Sequence, residues 1–362
     1  MKVINISNYY AEFAGSFIEQ LSLLGEKIIS EQNDIVYIFP KEAKEKGWCK
    51  LLSIKYKIYF IDLIKKTNQK KIIKELKNIF ITENPDIVHS HFDGYDVAIT
   101  KAANKNVIKI YHRHNEFDVS NLCWYKKIYA DININMKMAY LRKKGYSIFT
   151  SKDTMNSFFD KGYVLKERSI TIMNGISTKR LDKKYDIKKI RNKPVAFSII
   201  GNWNRKGGDI LFKAFEKINS SEIKVYLSSI ASNDFILKQF GYIPQWFISL
   251  DITDDIAKYY SMADIFITSS RKETFSYALA EAIYCKLPCI SSDIDGVQWA
   301  KEIPSVSFFE STNINGLVDK IIKVLASAYD EKVYALSKKI VKDKYSEDIW
   351  VENIVNFYKK LV

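Results

Sequence analysis

Short apolar, β-rich runs alternate along this chain with longer stretches of helical periodicity, and no other feature limits the fold as strongly. "KVINIS" at 2–7 is followed by "SFIEQLSLLGEKI", which puts Phe17, Leu21, Leu24 and Ile28 at helical spacing, and then by the buried-strand pattern "DIVYIF". That order predicts a βαβ opening and hence a parallel α/β sheet. The alternation continues with "DIVHSHF" at 86–92, "VIKIYHRH" at 107–114 and "YSIFTS" at 146–151. Ligands bind at the carboxyl ends of strands in open parallel sheets, so both histidine-bearing ends are candidate sites.

A charged segment, "NGISTKRLDKKYDIKKIRNKP" at 174–194, precedes a fresh series that opens with "VAFSIIG" at 195–201. "IKVYLSS", "DIFITSS" and "LPCISS" follow as strands, with "DILFKAFEKI", "DDIAKYYSMA" and "TFSYALAEAIYCK" as helices. We therefore expect a first Rossmann-like domain over 1–180 and a second over 190–344. The helix in "SEDIWVENIVNFYKKLV" over 345–362 should cross back onto the first.

The length agrees: 362 residues exceed one ordinary core, and 47% hydrophobic with 27% charged residues is normal for globular folding. No apolar run reaches the roughly 18 residues needed to span a bilayer, and no signal-peptide pattern opens the chain. The expected location is the cytoplasm. Four cysteines, Cys49, Cys123, Cys285 and Cys289, read as buried free thiols, since no further Cys or His stands at zinc-ligand spacing from the last two. The net charge of +14 favours anionic partners such as nucleotide phosphates or phospholipid. With no nucleic-acid-reading motif beside scattered lysines, it does not argue for nucleic acid.

Three places could carry chemistry. The loop "GNWNRKGGDILFKAF" runs from a strand into a helix and holds Gly201, Arg205 and Lys206. It reads equally as a diphosphate clamp or as an ordinary basic turn. In "SSRKETFSYALAE", Glu273 and Glu281 stand with seven residues between them, after a strand ending in Ser269 and Ser270. The amides of Thr274, Phe275 and Ser276 are expected at a helix start that would hold an anion, with Glu281 two turns further on. Ser270 and Glu273 also fit a capping box, and Glu302 and Glu310 repeat the spacing without that setting, so spacing alone proves nothing.

All four histidines, His89, His91, His112 and His114, fall in two H-x-H pairs at strand ends. We expect the members of each pair to point to opposite faces, which argues against a metal and for a polar sugar or phosphate site. Near the first turn, Gly15 and the Ser16–Glu19 capping-box pattern predict a helix start facing the same sheet edge. The Lys-rich stretch at 65–80 reads as a surface helix with its lysines in water, or as one lying on anionic lipid.

Taken with "NISNYYAEFAGSF", "PDIVHSHF", "FTSKDTM", "ITIMNGIS", "GNWNRKGGDIL" and "ADIFITSSRKETFSYALAEAIYCKLPCISSDIDG", these pieces resemble a family-4, retaining, GT-B glycosyltransferase along nearly the whole chain. The resemblance implies two Rossmann-like domains facing each other across a cleft, with a nucleotide-sugar donor on the second and a glycan or lipid-linked acceptor on the first. It implies Glu273 at the donor sugar, Glu281 at the nucleotide ribose, and Arg205 and Lys206 on the diphosphate with Gly201, Thr274, Phe275 and Ser276. It further implies a catalytic role for His112 or His114 and an acceptor side at Gly15, Ser16 and His91, with no metal or other cofactor. Two positions depart from the family: Asn202 follows Gly201 where Arg is common, and Lys286 replaces a Gly before Leu-Pro. The competing reading is a non-catalytic GT-B-like binding or chaperone subunit of a glycosylation system, for which Asn202 is the best support.

Overall fold

The structure, a computed structural model, describes residues 1–114, 117, 123–183, 185, 193–220 and 225–362. It divides into two compact units, Met1–Met173 with Trp350–Val362, and Asn174–Ile349. Parts of the expected charged linker and of "IKVYLSS" lie outside the described residues.

The first unit runs β1 (Lys2–Ser7), α1 (Gly15–Ser30), β2 (Asp34–Pro40), α2 (Gly47–Lys55), β3 (Lys57–Ile61), α3 (Gln69–Glu83), β4 (Ile87–His91) and α4 (Asp96–Ala102). It continues with β5 (Ile108–Arg113), α5 (Trp124–Leu141), β6 (Tyr146–Phe149), α6 (Lys152–Asp160) and β7 (Ser169–Thr171). Its seven strands lie in the order β3-β2-β1-β4-β5-β6-β7, every pairing parallel. A parallel sheet is covered on both faces, which is why the strands are apolar throughout rather than alternating. Phe17, Leu21, Leu24 and Ile28 of α1 cover one face; Ile72, Leu76, Ile79 and Phe80 of α3 cover the other. The lysines of α3, Lys70, Lys71, Lys74 and Lys77, are exposed.

The second unit runs α7 (Thr178–Leu181), β8 (Val195–Ser198), α8 (Trp203–Lys206), α9 (Gly208–Asn219), β9 (Tyr226–Ser229), α10 (Asn233–Phe240), β10 (Phe247–Ser249) and α11 (Ile256–Met262). Then come β11 (Ile265–Thr268), α12 (Tyr277–Tyr284), β12 (Cys289–Asp293), β13 (Val306–Glu310), α13 (Ile314–Ala326), α14 (Glu331–Tyr345) and α15 (Glu347–Leu361). Its six strands are parallel in the order β10-β9-β8-β11-β12-β13. From Trp350 onward α15 belongs to the first unit, where Trp350, Val351, Ile354, Val355 and Tyr358 are buried against the α1 face.

Both sheets are Rossmann-like, and in each the strand order reverses once, between β1 and β4 and between β8 and β11. The crevice at that reversal is where such sheets bind ligands. Several expected details differ. Cys123 is exposed and Cys285 only partly buried, so two of the four thiols, Cys49 and Cys289, fit the buried reading. Cys285 follows α12 directly and Cys289 begins β12. Glu310 closes a strand, β13, that the apolar pattern did not suggest.

Candidate functional site

In the second unit, the loops that leave β8 and β11 at the reversal are stapled together. Ser269 Oγ donates to the carbonyls of Lys206 and Gly207 at 3.0 Å each, and the Arg271 amide donates to the Arg205 carbonyl at 2.8 Å. The Arg271 guanidinium forks onto Asp209 with two bonds of 2.7 Å. Gly207 permits this approach: its φ is +65°, and a Cβ there would stand 2.0 Å from the Ser269 carbonyl oxygen. Gly296 does the same behind Glu273, whose carbonyl oxygen would lie 2.0 Å from a Cβ. Gly201 is different, with open space where a Cβ would be.

This frame brings Glu273 against the two cations of the basic loop. Lys206 Nζ donates to its carboxylate at 2.5 Å, Arg205 Nη1 at 3.5 Å and Ser270 Oγ at 2.8 Å. Ser270 and Glu273 therefore do not form the expected capping box; Ser270 binds the carboxylate itself. The expected helix start also moves, because α12 begins at Tyr277. Thr274, Phe275 and Ser276 form its approach, and Glu281 lies about one turn in rather than two.

Ser276 holds φ at +62°, a conformation that favours glycine, and its Oγ is buried without a hydrogen-bond partner among the described residues. The Phe275 ring is buried against Trp299 and Tyr345, and the Trp299 indole N–H donates to the Phe275 carbonyl. Asn202 acts locally, since its Oδ1 accepts from the Arg205 amide at 3.2 Å and caps α8.

Glu281 is buried and engaged. Arg180 Nη2 donates to one oxygen at 2.5 Å and the Tyr260 hydroxyl to the other at 3.0 Å. Burial, then the Glu281 carboxylate, push the Tyr260 phenol well above its ordinary range. Sequence reasoning missed both partners, which lie 101 and 21 residues away and carry no local signal.

In the first unit the four histidines gather on one face. Strand residues two apart share a face, so the expected split of each H-x-H pair was wrong. Register pairs His91 with His112, and His89–His91 and His112–His114 ring centroids are each 4.2 Å apart. His89 Nδ1 meets the Tyr358 hydroxyl at 2.5 Å, and His91 Nδ1 meets His114 Nε2 at 2.9 Å. All four are buried, His114 least so at 6% exposure. Burial holds His89 and His114 down to about 3 and the other two well below their ordinary value, so all four are neutral at pH 7. The ground on which the sequence argued against a metal is thereby removed.

On the opposite face of the same two strands is a second group that the sequence did not flag. The buried Arg113 guanidinium pairs with Asp93 and Asp96, Lys137 Nζ bonds Asp93 Oδ1 at 2.7 Å, and Ser90 Oγ donates to Asp96 at 2.8 Å. Gly15, at φ +58°, is the first residue of α1. The N-cap position is Ala14 and carries no side-chain cap, so the Ser16 capping box is not formed. Just before it, Asn8 to Glu12 with Glu42 and Lys46 line an open pocket of about 590 Å³, which neither Gly15 nor Ser16 lines.

Residues 194–327 match the family model for Glycosyl transferases group 1. N-acetyl-alpha-D-glucosaminyl L-malate synthase of Bacillus anthracis is 26% identical over 109 residues, 30% of this chain; the match spans 28% of that protein's length. Among solved structures, sucrose-phosphate synthase of Thermosynechococcus elongatus superposes with a TM-score of 0.80 at 14% identity, covering 100% of this chain and 99% of that one. HepE of Anabaena, solved in complex with UDP and glucose, gives 0.78 at 14% identity over 99% of each chain. The chain has the GT-B fold, and the stretch that matches the group 1 glycosyl transferase model, 194–327, lies within its second unit.

Proposed function

We propose that this GT-B chain, with its match to the group 1 glycosyl transferase model, moves a sugar, with retention at its anomeric carbon, from a nucleotide diphosphate donor to a surface-glycan, exopolysaccharide or lipid-linked acceptor. The observation that carries the reading is the meeting of Glu273 with Lys206 and Arg205 at the strand reversal of the second sheet. Breaking the bond between the anomeric carbon and the diphosphate leaves negative charge on the departing phosphate. Two fixed cations and the orphaned Ser276 hydroxyl are suited to receive it. Glu273, held by the same cations, is left to orient the sugar hydroxyls, and Glu281 to meet the ribose.

The acceptor oxygen forms the new bond to the anomeric carbon, and its proton passes to the leaving phosphate oxygen on the same face. No step uses a metal at the diphosphate. The acceptor belongs to the first unit, beside the Gly15 turn, Ser16 and His91. His114, the least buried histidine, is assigned to the sugar with His112 behind it. The non-catalytic alternative loses its main support, because Asn202 is a helix cap and Arg205 supplies the cation at Glu273.

A peripheral position on an anionic cytoplasmic membrane face fits two surfaces. The α3 lysines are exposed, and α5 exposes Trp124, Tyr125, Ile128, Tyr129, Ile132 and Met136 beside Lys126 and Lys127. Among the described residues, no helix is long and apolar enough to cross a bilayer.

The test is release of nucleoside diphosphate from a panel of nucleotide sugars, with and without glycan acceptors. Glu273→Ala should abolish turnover while far-UV circular dichroism and chain compactness stay as in the parent. Parent-level turnover in that variant would sink the assignment.

A further inference from the structure

We propose that His89, His91 and His112 form a binding site for one divalent d-block cation, of the zinc, cobalt, nickel or copper type, at the carboxyl ends of β4 and β5. One nitrogen from each ring lies within 4.8 Å of the others. A tetrahedral ion with metal–nitrogen bonds near 2.05 Å needs about 3.4 Å between ligand atoms, so closing the site requires only small rotations of three rings.

The hydrogen-bond pattern points the same way. His89 gives its Nδ1 to Tyr358 and His91 its Nδ1 to His114. That leaves His89 Nε2, His91 Nε2 and both nitrogens of His112 buried and without a partner among the described residues. Buried imidazole nitrogens are costly to leave unpaired, and four in one place call for a shared occupant. An outer hydrogen bond on the second nitrogen is also how metal-bound histidines are oriented.

Ser7, in register with His91 on the neighbouring strand, adds a buried hydroxyl without a partner to the same face. It, or a solvent molecule, would fill the remaining position. Three imidazoles without a carboxylate suit borderline d-block ions rather than magnesium or calcium, which demand oxygen ligands. The ion would tie β4 to β5 and, through Tyr358, to the C-terminal helix. Two of its ligands, His91 and His112, are also assigned above to the acceptor and sugar side, so the ion would fix their rings; its binding is read without turnover and stands whether or not the chain transfers sugar.

The chain contains only four histidines, all in this cluster, so an imidazole-bound ion has one address in protein made without a histidine tag. Such protein, stripped with a chelator and desalted, is titrated with Co²⁺. We expect one equivalent to bind, with the strong visible d–d bands of a low-coordinate nitrogen site, and one equivalent of Zn²⁺ to displace it. His91→Gln should lose at least tenfold in Co²⁺ affinity while its chelator-treated melt matches that of the parent. If that variant does not fold, X-ray absorption of the cobalt-loaded parent decides by showing three imidazole shells or none. Absence of the bands in the parent, or equal affinity in a folded His91→Gln, would overturn the proposal.

Discussion

Replacing Glu281 should cost far more stability than a surface carboxylate would. Arg180 is 15% exposed and Glu281 6% exposed at the side chain, and their bond is 2.5 Å long. An ion pair at about 4 Å between charge centres is worth about 4 kcal/mol at an effective dielectric constant near 20. Glu281→Ala removes that attraction, leaves a guanidinium with little water to repay it, and strips the Tyr260 hydroxyl of an acceptor. Breaking such pairs from one side costs about 3–5 kcal/mol. Glu281→Gln keeps the shape and an acceptor for Tyr260, so we expect about 2–3 kcal/mol from it. Arg180→Met with Glu281→Gln should cost clearly less than the sum of the single changes, by about 2 kcal/mol or more, because the double variant leaves no uncompensated charge. Urea unfolding followed by tryptophan fluorescence and circular dichroism measures all four corners. A loss below about 0.5 kcal/mol in Glu281→Gln, or strict additivity, would refute the reasoning. It would also leave Glu281 free to act on the ribose alone.

Three further outcomes are expected. Gly207→Ala puts a methyl group 2.0 Å from the Ser269 carbonyl at a φ of +65°, so the two loops must part; a loss of about 3 kcal/mol or more and loss of donor binding should appear together in melts with and without nucleotide. Lys286 sits at φ +62° as the left-handed residue of a helix-ending motif, with Leu287 N bonded to Ala282 O at 3.1 Å and its own N to Ile283 O at 2.9 Å; Lys286→Gly should raise stability by about 0.5–1 kcal/mol despite losing the exposed pair with Glu331. Burial raises the Glu83 carboxyl, but bonds from Lys2, Lys57 and Tyr59 outweigh it and hold it at about 2, below the ordinary 4.5. A depressed carboxylate stabilises above its unfolded value and loses that contribution as pH falls through its folded one. Glu83→Gln should therefore cost about 3 kcal/mol at pH 7 and only about 1 kcal/mol at pH 3, as read by urea unfolding at the two pH values; a pH-independent cost would contradict the assignment.

The parallel architecture was legible because buried strands such as "KVINIS" and "DIVYIF" are apolar on both faces and are spaced by helices with one apolar stripe. What escaped was too short or too local to carry a period. β7 and β10 have three residues each, and α4 seven. α5 exposes much of its apolar residue set, so its pattern does not report a core-facing stripe. Capping signals misled twice. Ser16 and Ser270 each precede a Glu at capping-box spacing, yet α1 starts at Gly15 and Ser270 spends its hydroxyl on the Glu273 carboxylate. A short polar side chain satisfies whichever group tertiary structure brings nearest, and sequence spacing records only one option.

The candidate site separates into what topology decides and what chemistry decides. Glu273 and the Arg205–Lys206 pair lie 67 to 68 residues apart, and they meet because β8 and β11 are the neighbours at which the strand order reverses. The same logic puts His89, His91 and His112 together, since β4 and β5 are neighbours in register and strand residues two apart face the same way. A reversal-point argument from the strand pattern finds the first cluster and the strand-end argument finds the second, whereas counting residues between carboxylates finds neither. The partners Arg180 and Tyr260 obey no such rule. They come from α7 and α11, whose positions depend on packing against α12, and a buried carboxylate needs some cation without specifying from where. Hence the meetings that strand order dictates were readable in advance, and the side chains that hold Glu281 in place became visible only in the folded unit.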